Sequence, residues 1–127
     1  MPTTILIADD YEDNLELLRL LLTAAGYEVK EARNGQQCLT AARAFSPDLI
    51  MVDLSMPVLD GWEVFSQLKA DVLTAQIPCV AVTAFGDSDR EEALKAGFNA
   101  YLSKPFRGAE LLETVSQLLS SKILLSQ

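Results

Sequence analysis

The sequence predicts a doubly wound α/β domain, in which helices cover both sides of a parallel sheet. Short apolar runs alternate five times with longer amphipathic stretches along the 127 residues. The runs are apolar on both of their alternating faces, as in parallel strands that are buried on each side. The length suits one domain, and half of the residues are hydrophobic. We therefore expect a single domain over residues 1–127, with a core at about 4–120 and a short tail at 121–127.

Five strands are predicted where the apolar runs lie. The second run gives the weaker strand signal. The fifth run is the least apolar, so the fifth strand is expected at an edge of the sheet. The runs cover residues 5–8, 27–29, 49–52, 79–82 and 100–102.

Five helices are predicted between and after these strands. The first covers about residues 14–25, and we expect it to bury most of its leucine-rich surface. Gly26 and Gly97 suit the left-handed position that follows a helix. The apolar residues after Lys122 are expected to continue the fifth helix onto the domain's own surface, with a docking patch as the alternative. Four helices share a start signal, a capping side chain followed three positions later by Glu or Gln: Asp13/Glu16, Asn34/Gln37, Asp60/Glu63 and Ser88/Glu91.

Composition excludes several functions. The net charge is −8, and no cluster of basic residues is present, which argues against binding to nucleic acids or anionic membranes. The chain contains no histidine, so a Ser-His-Asp triad and a histidine-ligated zinc are excluded. Cys38 and Cys79 stand apart and are expected to be buried apolar residues in a reducing compartment. No apolar run reaches about 18–20 residues, so we expect a soluble, cytoplasmic protein.

Charged and hydroxyl side chains follow the predicted strands. Asp9 and Asp10 end the first strand, Asp53 the third, Thr83 the fourth and Lys104 the fifth. The carboxyl ends of parallel strands share one edge of a sheet, so these groups should lie together. Two carboxylates ~5 Å apart repel by roughly 3 kcal/mol at an effective dielectric of ~20, so a cation is required. Oxygen ligands favour Mg²⁺, with Mn²⁺ as a substitute, and the pocket suits phosphoryl transfer to a carboxylate.

Four segments carry a resemblance to a known family. They are residues 5–10, the D-x-x-M-P-x-x-x-G run that begins at Asp53, Val82-Thr83-Ala84, and Tyr101-Leu102-Ser103-Lys104-Pro105-Phe106. Together and in this order, they resemble the receiver domain of two-component response regulators. The resemblance covers nearly the whole chain. It implies a flavodoxin-like fold with strand order 2-1-3-4-5 and five helices.

The resemblance also implies the chemistry of the acidic residues. Asp53 is expected to be the nucleophile that accepts a phosphoryl group from a sensor histidine kinase or a phosphotransfer protein. Asp10 is expected to bind Mg²⁺ directly, and Asp9 mainly through water. Asp53 and the backbone carbonyl of Ser55 are expected to complete the protein ligands. The chain is thus expected to be a signalling protein with phosphoryl-acceptor chemistry and slow self-dephosphorylation, and not an enzyme.

Three further residues are expected to respond to the phosphoryl group. Lys104 pairs with one phosphoryl oxygen, and a cis Lys104-Pro105 peptide aims its amine inward. Thr83 donates a hydrogen bond to another oxygen, and Tyr101 turns from an outward to an inward position as Thr83 moves. Phe85 is expected to shield the acyl phosphate from water.

The role in signalling is left open by the sequence. A stand-alone receiver acts on a downstream protein target, and phosphorylation could drive homodimerisation through the face from the fourth strand to the fifth helix. A phosphorelay intermediate or phosphate sink is the alternative, followed by a docking module that is not phosphorylated. An aspartyl phosphatase is disfavoured, because its D-x-D pattern is absent from the Asp9-Asp10-Tyr11 segment. Nucleotide-binding glycine motifs are also absent from the sequence.

Overall fold

Strands and helices alternate throughout the chain. The computed structural model describes residues 3–56, 59–84 and 89–125, with side chains as far as residue 120. The strands are β1 (Thr4–Ala8), β2 (Glu28–Ala32), β3 (Leu49–Asp53), β4 (Cys79–Thr83) and β5 (Ala100–Ser103). The helices are α1 (Glu12–Ala24), α2 (Gly35–Phe45), α3 (Gly61–Ala70), α4 (Arg90–Ala96) and α5 (Gly108–Leu125). Each of the five predicted strands is therefore present.

The strands form one parallel sheet in the order β2-β1-β3-β4-β5. The implied strand order is thus confirmed, and β5 lies at an edge as expected. β1 pairs with β2 on one side and with β3 on the other, where Ala8 is opposite Val52. The order in which strands are added to the sheet therefore reverses at β1, since β2 lies on one side of it and β3 on the other. A crevice is expected outside the carboxyl ends of β1 and β3, which is where ligands bind in open α/β sheets.

Two apolar clusters cover the two faces of the sheet. One face packs against α1 and α5, through side chains such as Leu15 and Leu111, and the other packs against α2, α3 and α4. Successive residues of β3 alternate between the clusters, so that Ile50 belongs to one and Met51 to the other. This arrangement is the doubly wound architecture that the two-sided apolar runs predict.

Two of the predicted helix starts are confirmed by their capping bonds. The backbone N–H of Gln37 donates to the Asn34 side chain at 2.8 Å, and that of Glu63 donates to Asp60 at 2.9 Å. The predicted glycine positions after α1 and α4 are confirmed as well, with φ values of 97° at Gly26 and 116° at Gly97. α4 begins at Arg90. Ser88, which was predicted to cap this helix, lies outside the described residues.

The predicted start of α1 is wrong. The helix begins at Glu12, and Asp13 lies inside its first turn, where its charge interacts favourably with the positive end of the helix dipole. The carbonyl of Tyr11 already accepts the N–H groups of Asn14 and Leu15, at 3.1 and 3.3 Å. Helical hydrogen bonding thus starts before the position at which Asp13 could cap. In the described part of the chain, the Tyr11 cap position has no side-chain capping bond.

The expected burial of α1 is also wrong. Leu15, Leu18 and Leu22 form the single stripe that packs against the sheet. Leu17 and Leu20 lie off this stripe and are 50% and 58% exposed. A surface helix buries only the face that meets the core, so the remaining leucines form an apolar surface of α1.

Both cysteines are buried, as expected, and both are free thiols. Burial raises the pKa of the Cys38 thiol to about 12 and that of Cys79 to about 11. They therefore remain protonated near neutral pH and behave as small apolar residues. α5 continues to Leu125, in keeping with the expected continuation, but the side chains beyond residue 120 lie outside the described part.

Candidate functional site

Three carboxylates gather at the carboxyl end of the sheet. Asp9 and Asp10 directly follow β1, and Asp53 is the last residue of β3. Because these two strands are neighbours, one oxygen from each carboxylate lies within 4.8 Å of the others. Asp9 is 1% exposed and Asp53 is 6% exposed, whereas Asp10 faces solvent. The site therefore combines two buried carboxylates with one that faces solvent.

The Lys104 ammonium lies among these acids. Its Nζ donates to Asp9 Oδ2 at 2.9 Å and to Asp53 Oδ2 at 3.2 Å. The backbone N–H of Lys104 also donates to the carbonyl of Thr83 at 2.7 Å, which fixes the lysine beside the end of β4. The Lys104-Pro105 peptide is cis, as the resemblance implied. Side chains that are 95 residues apart in sequence, Asp9 and Lys104, thus contact each other directly.

The pKa values of Asp53 and Lys104 are both raised, but for different reasons. Burial raises the pKa of Asp53 above its usual value, and repulsion from Asp9 adds to this effect. The Ser55 N–H and the Lys104 charge oppose it without cancelling it. For Lys104, burial acts to lower the pKa, but the hydrogen bond to Asp9 and the charges of Asp53 and Asp9 outweigh it and raise the pKa. The lysine therefore remains cationic between the two aspartates.

Backbone groups orient the two buried carboxylates. The N–H of Tyr11 donates to Asp9 Oδ1, and the N–H of Ser55 donates to Asp53 Oδ1, each at 2.9 Å. In both cases the N–H belongs to the residue two positions after the aspartate. Each aspartate side chain therefore closes the turn that follows its strand. These bonds occupy one oxygen of each carboxylate and leave the other toward Lys104.

Gly61 is a positioning residue that the sequence analysis did not identify. A Cβ atom at this position would lie 2.6 Å from the carbonyl oxygen of Asp53 and 2.7 Å from the Cα of Leu54. Only glycine lets the start of α3 approach the backbone of the acidic strand end so closely. The signal was present in the sequence, since Gly61 closes the D-x-x-M-P-x-x-x-G run, but the run alone does not show what it contacts.

Three more of the predicted site residues lie on, or shortly after, β3, β4 and β5. Thr83 ends β4 and is fully buried, opposite Ser103 of β5. Ser55 lies in the turn after β3, where its N–H contacts Asp53. Tyr101 lies on β5 within the cluster that packs against α2, α3 and α4, and its ring is only 4% exposed. Phe85 lies outside the described residues.

A groove of about 380 Å³ opens beside Lys104. One wall is α1, including the half-exposed Leu17, and the other is the Pro105-Phe106 segment after β5. Ala84, which follows Thr83, also lines the groove. The groove therefore joins the apolar surface of α1 to the charged site.

The donor set fits a hard divalent cation. All three candidate ligands are carboxylates, and such oxygens bind Mg²⁺ in preference to softer metals. A protein cation already balances part of the charge, and one carboxylate remains open to solvent, as expected for an ion that keeps several waters. Fold and site together define an α/β domain with an acidic cleft, whose donors suit a hard cation, at the switch point of its sheet.

Comparisons with known proteins agree with this class. Residues 5–116 match the response regulator receiver domain family. The chain is 41% identical to a polar-differentiation response regulator DivK of Brucella anthropi over 120 residues, which is 94% of this chain and 98% of that protein. The DivK of Brucella ovis is 39% identical, and the match again covers 94% of this chain and 98% of that protein. The chain belongs to the response regulator receiver domain family.

Solved structures support the same conclusion. A receiver domain of a sensor histidine kinase from Pseudomonas aeruginosa, crystallised with a magnesium ion coordinated in the active site cleft, is 32% identical with a TM-score of 0.87, and the match covers 94% of this chain and 99% of that one. A response regulator receiver domain protein from Clostridium thermocellum is 28% identical with a TM-score of 0.88, covering 97% and 98%.

Membership places the chain among the signalling proteins of two-component systems, which are not classical enzymes. Among the helices of the described ranges, none is both long and apolar enough to cross a membrane.

Proposed function

We propose that Asp53 is the phosphoryl acceptor of this receiver domain. The observation that carries the proposal is the contact of one partly buried lysine with two buried aspartates at the ends of β1 and β3. In the transfer, an Asp53 carboxylate oxygen forms a bond to phosphorus, while the bond from phosphorus to a histidine nitrogen of the donor breaks. The donor imidazole keeps the proton on its other ring nitrogen and leaves as the neutral ring, so the transfer needs no proton from this chain.

The surroundings of Asp53 prepare it for this role. The Ser55 N–H fixes one carboxylate oxygen, which leaves the other oriented for attack. The Lys104 charge favours the ionised, nucleophilic form, against the effect of burial. A lysine that contacts Asp53 before transfer can follow the new phosphoryl oxygens afterwards, because its long side chain is flexible and carries three donors.

Asp9, Asp10 and Asp53 are proposed to bind one Mg²⁺ ion, together with the backbone carbonyl of Ser55. When bound, this ion supplies positive charge at the phosphoryl oxygens as negative charge moves during transfer. The chain's own contribution is the geometry: two buried carboxylates that each accept a backbone N–H at 2.9 Å, and a third that faces solvent. The magnesium-containing relative from Pseudomonas aeruginosa supports this assignment.

Thr83 and Tyr101 are proposed to convert phosphorylation into a change of surface. The Thr83 hydroxyl is fully buried at the end of β4, one strand away from Asp53. A phosphoryl group adds about 1.5 to 2 negative charges and three acceptor oxygens, which attract this hydroxyl. Tyr101, which is 4% exposed, is then held in the inward position, and the face around α4 and β5 changes shape.

The phosphoryl donor is proposed to be a histidine kinase or a phosphotransfer protein that docks on the apolar surface of α1. The groove between α1 and the Pro105-Phe106 segment leads from Leu17 to Lys104, so a partner bound there can present its phosphohistidine to Asp53. Acidic residues cluster in the first turn of α1, so basic side chains on the partner are expected at that end.

The assignment is tested by intact-mass measurement after incubation with Mg²⁺ and acetyl phosphate. The wild-type chain is expected to gain one phosphoryl group, and the Asp53→Asn variant none. The matched control is Asp13→Asn, an exposed aspartate of the first turn of α1, which is expected to gain the group like the wild type. Removal of Mg²⁺ with a chelator should abolish the gain. Labelling of Asp53→Asn at the wild-type level would place the acceptor elsewhere.

A further inference from the structure

A cation from α4 lies over the ring of Tyr101. Arg90 is the first residue of α4, and its guanidinium carbon lies 5.0 Å from the centroid of the Tyr101 ring. Arg90 itself is exposed, whereas the tyrosine is 96% buried, since only 4% of it is exposed. The charge of an exposed side chain thus lies over a buried ring, and Tyr101 itself belongs to the apolar cluster that includes Ala81 and Ala93.

The contact of Arg90 with Tyr101 links α4 to β5. α4 is a helix of seven residues, and its Asp89 cap position has no side-chain capping bond within the described ranges. β5 is an edge strand, bonded to β4 alone among the described strands. An aromatic ring attracts a cation placed over its face, and the attraction is stronger for a planar guanidinium that can stack on it. The contact therefore favours both the buried ring and the present position of the first turn of α4.

We propose that Arg90 is a positioning residue for Tyr101, which stabilises the inward position of the ring before any phosphoryl group is present. The contact between the two residues stands on geometry alone, but its regulatory meaning rests on the proposed function of Tyr101. Arg90 then sets the ratio of inward to outward ring in the resting protein. When this ratio is higher, a larger fraction of the resting protein already has the inward ring. Phosphorylation then has to shift a smaller part of the population.

The ring position can be measured without phosphorylation. The chain contains three tyrosines, so replacing Tyr11 and Tyr27 by Phe leaves Tyr101 as the single tyrosine for incorporation of 3-fluorotyrosine. The fluorine resonance reports the solvent exposure of the ring. In this background, Arg90→Ala is expected to lower the ratio of inward to outward ring by roughly two- to five-fold, the range of one partly exposed cation–π contact.

Two variants separate a positioning effect from a general loss of helix stability. Arg90→Lys keeps a cation in reach of the ring and is expected to restore most of the wild-type ratio. Glu92→Ala removes an exposed charge from the same turn of α4 and is expected to leave the ratio unchanged. The proposal is overturned if Arg90→Ala leaves the fluorine spectrum unchanged, or if Glu92→Ala shifts it as much as Arg90→Ala does. Circular dichroism of each variant checks that the helices remain formed.

A second measurement separates this proposal from the assignment of Asp53. Arg90→Ala is expected to accept one phosphoryl group from acetyl phosphate at Asp53, because Arg90 is placed on the ring and not in the acidic site. Loss of labelling in the wild type would reject Asp53 as acceptor but leave the ring measurement intact. An unchanged ring in Arg90→Ala, with normal labelling, would reject the role of Arg90 alone.

Discussion

Polar side chains lie at both ends of the sheet, and their partners differ. At the amino ends of the strands, Asp48 accepts the N–H of Thr4 at 2.8 Å, and the Asn99 side chain accepts the N–H of Cys79 at 2.9 Å. Each bond satisfies a backbone donor at the start of a strand. At the carboxyl ends, Asp9 and Asp53 lie close to each other and share Lys104.

The two ends therefore contribute differently to stability. A backbone donor that is satisfied at the amino end stabilises the fold, because leaving it buried and unpaired costs free energy. At the carboxyl end, the raised pKa of Asp53 shows that its charge is not fully compensated. Groups with perturbed pKa values cluster at functional sites. The same residue type, aspartate, thus satisfies a backbone donor at one end and is the proposed phosphoryl acceptor at the other.

The largest expected effect is the loss of Lys104 from the carboxyl end. Lys104→Met removes the only cation that the described residues show between Asp9 and Asp53. We expect phosphoryl transfer from acetyl phosphate to slow by about 100-fold, the scale of one removed charge-stabilising donor. The rate is followed by intact mass at saturating Mg²⁺. Lys95→Met, an exposed lysine of α4, is the control, and an unchanged rate in Lys104→Met would remove the lysine from the mechanism.

The amino end is expected to show the opposite pattern. Asn99→Ala leaves the N–H of Cys79 without its side-chain acceptor, so the free energy of unfolding should fall by about 1–3 kcal/mol. Urea denaturation measures this change. Gln117→Ala, which removes an exposed bond to Glu113, is the control. Phosphorylation of Asn99→Ala should be normal below its denaturation midpoint, and impaired labelling of the folded variant would contradict the separation of the two ends.

Neutralising the acceptor should stabilise the protein. Because the folded-state pKa of Asp53 is raised, the folded state favours its protonated form, and stability falls as pH rises through that pKa. Asp53→Asn mimics the neutral form at every pH. We expect it to raise the free energy of unfolding by on the order of 1 kcal/mol at pH 7, with the difference from wild type shrinking toward pH 3. Thermal denaturation without Mg²⁺ measures both values, and a gain that persists at low pH would contradict this explanation.

The smallest effects distinguish caps from acids that merely lie nearby. Asn34 caps α2 at the carboxyl end of the sheet, so Asn34→Ala should lower the free energy of unfolding by about 1 kcal/mol. Asp13 only faces the helix dipole of α1, and Asp13→Ala should cost about 0.3 kcal/mol. Urea denaturation compares the two variants. Equal losses would restore the capping role that the sequence predicted for Asp13.

Local patterns predicted the fold and the location of the acids. Asp9, Asp53 and Lys104 each follow an apolar run, and parallel strands bring such ends together. The start of α1 was not predictable in this way, since Asp13 and Glu16 satisfy the capping pattern that Asp60 and Glu63 also satisfy. Only the hydrogen bonds of Tyr11 distinguish the two cases. The burial of α1 depends on which side of the helix meets the sheet, and periodicity does not show how wide that side is.

Contacts between distant segments were the least predictable. The approach of Gly61 to Asp53 and the position of Arg90 over Tyr101 depend on how whole elements pack. No spacing in the sequence encodes the distance between a helix start and a strand end. Glycine and exposed arginine occur in many structural settings, so the residue type alone does not predict either contact.

The close approach at Gly61 limits how this protein could be re-engineered. Redirecting a receiver to a new donor requires changes on the surface that the donor meets, and the exposed Leu17 and Leu20 of α1 accept new side chains without disturbing the interior. Position 61 offers no such freedom, because even one added methyl group would collide with the main chain of Asp53. A library that varies α1 and leaves position 61 constant should therefore yield far more working variants than one that varies both.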